Sequence, residues 1–179
     1  MTAFLKRFGL LVLESSILPA SISLASAAPA YFPGTGQWYE AVYEPNGLTW
    51  DEAYTEAINR GGYLCTISNA DENVFVASLV DSTYYSDVSI NGDRLGPWLG
   101  GFRHAFESNW QWVTGEPFGY ANWWPGQPDG YGGSEQRLQF YAGASTGATW
   151  GDCPSDPPPG YSAPRGFIVE YNYPKLSIT

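Results

Sequence analysis

From Thr114 to Glu135 the sequence runs 22 residues with neither the alternation of a strand nor the three-to-four spacing of an amphipathic helix. Within that run, Gly126-Gln127-Pro128-Asp129-Gly130-Tyr131-Gly132-Gly133-Ser134-Glu135 crowds amide, carboxylate, proline, aromatic ring and glycine into ten residues. A stretch of this length without its own elements is either functional or disordered when it lies in a compact domain. Trp123 and Trp124 give it an apolar anchor, which favours an ordered loop. Gln127, Asp129 and Glu135 carry the hard oxygen atoms that Ca²⁺ takes, and Asp152 offers another from a later segment. Pro128, between two of these donors, fixes the backbone so that both side chains point one way, with a cis bond as one route.

The flanking sequence reads as a mixed α+β domain. Thr49-Trp50-Asp51-Glu52 has the form of a capping box, and Trp50, Ala53, Tyr54, Ala57 and Ile58 recur at helical spacing before Gly61-Gly62 stops the pattern. Asn69 with Glu72 caps a second predicted helix reaching about Val80, with Val74, Phe75, Ser78 and Leu79 on its inward side. Strands are expected at Trp38–Glu44, Tyr63–Ile67, Trp98–Phe102, Trp110–Val113, Leu138–Tyr141, Ala148–Trp150 and Phe167–Tyr171. The polar, turn-rich run from Asp81 to Gly96 reads as loop, and Pro154–Pro164 as a proline-rich connection.

Three short motifs in order give the chain a likeness to a known family: Trp98-Leu99-Gly100-Gly101, Gln127-Pro128-Asp129 and Trp150-Gly151-Asp152. With them the stretch from about Trp38 to Tyr171 resembles the C-type lectin-like domain. The resemblance implies an α+β fold of two helices, short antiparallel strands and a long ordered loop. It also implies a sugar-binding Ca²⁺ site on Gln127, Asp129, Glu135 and Asp152. The family usually has Asn where this chain has Gly151, so one side-chain ligand is missing, and Gly151→Asn is expected to restore it. An auxiliary calcium site of some members is not expected: Glu107 matches one of its acids, but Arg103 and Gly130 stand where two others would be, and a guanidinium cannot ligate a cation. The Gln-Pro-Asp order resembles binders of galactose and N-acetylgalactosamine, because exchanging amide and acid reverses which ligand donates to a hydroxyl. Tyr131 follows at the place where galactose binders put a ring against the apolar face of the sugar. Glycans or glycoproteins are thus the expected partners, through Gln127, Asp129, Tyr131, Glu135 and Asp152. A calcium-independent interaction or matrix module with the same fold is the alternative.

Two departures concern covalent ties. The family's usual pair of cysteines between the first helix and last strand corresponds here to Ala57 and Val169, and Arg137 stands near one partner of the second bridge. Cys65 and Cys153 form at most one disulfide, which export would permit, and their pairing is left open.

Composition sets the remaining limits. A formal net charge of −10 without a basic stripe argues against nucleic acid and anionic membranes as partners. Lys6 and Arg7, the apolar run Phe8–Leu13 and Ala25-Ser26-Ala27 read as a secretory signal peptide over residues 1–27, followed by a short leader at 28–37, the domain at 38–173 and a tail at 174–179. The expected location is extracellular, or periplasmic in a Gram-negative bacterium. No later run is long enough for a membrane span, and oligomerisation is left open. The only histidine, His104, sits in a turn, and neither a Ser-His nor a Cys-His arrangement is visible, so no enzymatic activity is expected.

Overall fold

A computed structural model describes residues 28–87, 94–105, 107, 109–142, 148–156 and 162–172; the expected signal peptide and tail lie outside them. The chain orders β1 (Ala30–Phe32), β2 (Gln37–Tyr43), α1 (Trp50–Asn59), β3 (Tyr63–Leu64), α2 (Ala70–Ala77), β4 (Ser86–Asp87), β5 (Arg94–Phe102), β6 (Gln111–Trp112), β7 (Arg137–Ala142), β8 (Trp150–Cys153) and β9 (Gly166–Tyr171). No helix among the described residues is long and apolar enough to cross a membrane.

Both helices begin where their capping residues stand. The Thr49 hydroxyl accepts from the Glu52 amide, the Glu52 carboxylate accepts from the Thr49 amide, and α1 buries Trp50, Ala53 and Ala57. Tyr54 and Ile58, expected inward, lie on its exposed margin. Helix α2 departs further from expectation. It ends at Ala77 and buries Glu72, Asn73 and Val76, while Val74 is 64% exposed. The inward face is chosen by polar bonding, not by apolar count. Glu72 accepts from Tyr39 Oη at 2.5 Å and from the Ser68 amide and hydroxyl at 2.7 Å each, and Asn73 serves the far side of the domain. Satisfied polar groups tolerate burial. Of the expected inward residues, Phe75 and Leu79 pack against the core, while Val74 and Ser78 are exposed.

One mixed sheet runs in the order β1-β2-β9-β5-β7-β8, with β3 on β9 and β4 and β6 on β5. Neighbours are antiparallel except β5 and β9. Residues 28–37, read from sequence as a leader ahead of the domain, contribute the edge strand β1, which pairs Ala30 with Tyr39. The run Asp81–Gly96, expected as loop, contains β4 and the start of β5. Pro97 lies within β5. It sits where the β5–β7 register shifts between Leu95 and Trp98, an irregularity at which a missing amide donor is tolerated. Strand β8 also extends beyond the expected Ala148–Trp150, so Gly151 and Asp152 lie in a strand bonded to β7.

Tryptophan lies on both sides of this sheet. Trp50 Nε1 donates to the Leu99 carbonyl and Trp98 Nε1 to the Leu48 carbonyl, both at 2.8 Å, so α1 and the segment before it are tied to β5 through buried indoles. Ala57 and Val169, the apolar pair in place of a disulfide, are fully buried in the same cluster. Cys65 and Cys153 are free, buried and in different clusters, so the pairing that sequence left open does not form. Topology separates them. Cys65 bonds to Ile168 and Gly100, on β9 and β5, whereas Cys153 ends β8 with β7 in between. Two strand spacings are about 10 Å, beyond the reach of a disulfide.

Glu170 is 3% exposed on β9. It accepts from the Thr66 amide and hydroxyl and from Tyr63 Oη. Burial pushes its pKa from 4.5 up to about 7, against the opposing pull of the Thr66 and Tyr63 bonds. Between these values the folded chain holds a proton that the unfolded chain has lost, so this group makes stability fall as pH rises from 4.5 to 7. Glu170→Gln, which keeps an acceptor for Thr66, should flatten the fall in thermal midpoint over that range without abolishing folding. A second outcome follows for the cysteines: unfolded, unreduced protein should titrate two thiols per chain.

Candidate functional site

The long loop is built onto Trp150, the fully buried first residue of β8. The Trp150 amide donates to the Asn122 carbonyl, the Trp124 amide donates to the Trp150 carbonyl, and Trp150 Nε1 donates to Asn73 Oδ1 at 2.8 Å. Asn73 and Asn122 each donate a side-chain N–H to the Ala148 carbonyl. Phe118, Tyr120 and Trp123 meet the Trp150 ring edge-on, at centroid distances of 6.1, 5.5 and 5.9 Å. The loop thus has a core of its own, and the segment from Thr114 to Glu135 is ordered with only a short 3₁₀ turn at Tyr131–Gly133.

That anchoring brings together the four oxygen-bearing residues singled out in the sequence. Gln127 Oε1 accepts from the Asp152 amide at 3.2 Å, and Gln127 Nε2 donates to Asp129 Oδ2 at 3.3 Å. Asp152, on β8, accepts from the Asp129 amide at one oxygen and the Gly130 amide at the other, each at 3.0 Å. The Tyr131 amide donates to Asp129 Oδ1 at 3.0 Å and to Glu135 Oε2 at 2.8 Å. Carboxylate oxygens of Asp129, Glu135 and Asp152 lie within 4.8 Å of one another, and the Gln127–Pro128 peptide bond is cis. Tyr131, whose amide serves both Asp129 and Glu135, is 75% exposed.

Three acids this close repel one another. Burial, the bond shared with Asp129 and the charge of Asp152 push Glu135 up to about 8, so near neutral pH it keeps its proton. Asp152 is also held above the ordinary aspartate value, chiefly by burial, although the Asp129 and Gly130 amides and Arg103 pull the other way. A divalent cation would relieve this repulsion and displace the Glu135 proton. Three carboxylates and an amide carbonyl are a donor set of the hard-oxygen type that Ca²⁺ takes.

Two positions differ from what the resemblance implied. Gly151 is not an open vacancy. A Cβ built there meets the Tyr141 ring and Cβ at 2.8–2.9 Å, so tyrosine fills the space an asparagine would need. The expectation that Gly151→Asn simply adds a ligand is therefore corrected. Arg103 is not only absent from the acids of an auxiliary site. Its Nη2 lies 3.0 Å from Asp152 Oδ2, and both Nε and Nη2 donate to the Glu135 carbonyl, at 3.1 and 2.8 Å. No local sequence pattern marks either partner. Tyr141 is an ordinary strand aromatic, and Arg103 is 49 residues from Asp152.

The comparisons fall in line with this geometry. No protein-family profile matches the chain. The chain is 30% identical to the galactose-specific lectin nattectin of Thalassophryne nattereri over 87 residues, 49% of this chain and 50% of that protein. It spans half or less of the first curated relatives it matches. Among solved structures, a calcium-independent type II antifreeze protein superposes with a TM-score of 0.59 at 22% identity, covering 83% of this chain and 94% of that one. The carbohydrate-recognition domain of the mouse scavenger receptor C-type lectin gives 0.57 at 22% identity, covering 80% and 93%.

Asn at position 151 should overpack the β7–β8 pair. Gly151→Asn is expected to destabilise by about 1–3 kcal/mol. Combined with Tyr141→Ala it should cost less than the sum of the two single changes, as chemical denaturation of the four proteins would measure.

Proposed function

Because the chain carries a C-type lectin-like domain, we propose that it is a carbohydrate-binding lectin whose sugar meets Gln127, Asp129, Tyr131, Glu135 and Asp152. The observation that carries this reading is the convergence of three carboxylate oxygens within 4.8 Å, in a loop that also exposes the aromatic Tyr131. Isolated surface acids spread apart, whereas these are pinned together by amides of their own loop.

The residues fit one Ca²⁺, held by Gln127, Asp129, Glu135 and Asp152. When bound, the ion supplies coordination for two neighbouring sugar hydroxyls. The chain's own groups do the rest. The exposed Asp129 carboxylate accepts from a hydroxyl, the Gln127 amide donates to or accepts from one, and the Glu135 proton leaves as charge is neutralised. Tyr131 offers its ring to the apolar face of a galactose-type sugar, and nattectin, named as galactose-specific, supports that choice. Secretion, and glycans or glycoproteins as partners, complete the reading, with no catalytic role assigned.

The second reading, a calcium-independent interaction module, is favoured by one contact: Arg103 already occupies Asp152. A calcium-independent protein of the same fold keeps it in view. Calorimetric titration with Ca²⁺, with and without galactose, separates the two. The lectin reading expects Ca²⁺ to raise the thermal midpoint, since a ligand that prefers the native state must do so. Asp129→Ala, an exposed change, should abolish both ion and sugar binding. Tyr131→Ala should leave the ion bound and weaken galactose about tenfold, or about 1.4 kcal/mol. A chain that binds neither Ca²⁺ nor any galactoside would be the interaction module instead.

A further inference from the structure

Asp152 is 3% exposed and lies in a strand, so its carboxylate has to find its partners within the protein. Backbone amides of Asp129 and Gly130 supply two, but neither carries a charge. The third partner does. The Arg103 guanidinium reaches Asp152 Oδ2 at 3.0 Å, and in that salt bridge the side chains of Arg103 and Asp152 are 19% and 0% exposed. The same fork closes on the Glu135 carbonyl through Nε and Nη2. Arginine alone among the cations can hold a carboxylate and a carbonyl at once from one planar group, and a lysine ammonium would be a single point charge. The Arg103 amide donates to the Gln136 carbonyl, and its guanidinium carbon lies 5.4 Å from the centre of the Trp110 ring, so the side chain is fixed from behind.

A second observation is independent of these bonds. Gly130 takes φ +61°, and a Cβ at that position would stand 2.7 Å from Arg103 Nη2. Any side chain there would push against the guanidinium. The arginine and the glycine are complementary: one brings the charge, the other clears the space for it. Both occupy positions where the resemblance led one to look for acids, and here they form a cation and its seat.

We propose that Arg103 is a built-in counter-cation of the loop, seated against Gly130 and tying the Asp152 carboxylate to the Glu135 carbonyl, so that residues 126–135 keep their conformation on β8 without a metal ion. Arg103 is a positioning residue, not a ligand of sugar or ion. The inference concerns the loop used in the lectin reading but does not rest on it, because loop order is measured with no sugar present.

Hydrogen–deuterium exchange near pH 7, in chelator and then in excess Ca²⁺, tests it. In wild-type protein the amides of Asp129, Gly130 and Tyr131 should already be protected in chelator, with any protection that bound Ca²⁺ contributes coming on top of that. Arg103→Met should speed these amides by about tenfold or more in chelator while β9 stays protected, and Arg103→Lys should recover part of the loss. Wild-type amides that are open in chelator and close only with Ca²⁺ would overturn the proposal, as would an Arg103→Met loop that exchanges like wild type. If Arg103→Met does not fold, the wild-type rates and Arg103→Lys decide by the same criteria. Failure to bind galactose would sink the lectin reading and leave these rates where they are.

Discussion

Trp150 is the point on which the functional half of the domain depends. A loop of 22 residues has few hydrogen bonds of its own, and ordering it costs roughly 1–2 kcal/mol of backbone entropy per residue. One indole gathers the largest set of contacts that oppose that cost. Its ring is met edge-on by Phe118, Tyr120 and Trp123, and its N–H is taken by Asn73 of α2. The backbone on either side of the ring bonds the loop at Asn122 and Trp124. Two residues later the same strand delivers Asp152 to the acidic group. Loop order and site geometry therefore have one origin, and damage to the Trp150 pocket would act on binding from outside the site.

Around that anchor the chain handles an excess of negative charge by burying carboxylates only where donors converge. Glu72 is taken by Tyr39 and Ser68, Glu170 by Thr66 and Tyr63, and Glu40 by Tyr171 and Arg60. Each pairs a tyrosine hydroxyl with a carboxylate on or beside the β2–β9 half of the sheet. The loop draws on a guanidinium and on backbone amides. Asp152 is compensated by a guanidinium, while Asp129 and Glu135 are compensated only by amides.

Much of this was legible in the residues. Thr49 and Asn69 marked both helix starts because a cap is a local contract between neighbours. The long loop announced itself by the absence of a period, and its oxygen donors by their chemistry. What stayed hidden was non-local. The inward face of α2 is set by Tyr39 and by Ala148, which no spacing within the helix encodes. The start of β5 is hidden because its polar, turn-rich approach shows no alternation, and its pairing exists only once β4 and β7 are alongside. The cysteines looked like a pair only while strand order was unknown, and Gly151 looked like a vacancy until Tyr141 came to lie over it.

The contact between Gly151 and Tyr141 also bears on how such a site changes over generations. A glycine facing a tyrosine is a ratchet. With the ring in that space, a single substitution to a larger residue meets a clash before it can offer an oxygen. The path back runs through position 141 first, where a smaller residue would loosen the β7–β8 pair with no immediate gain. History can therefore be locked into this sheet by sterics alone, and the sequence of changes matters as much as their sum.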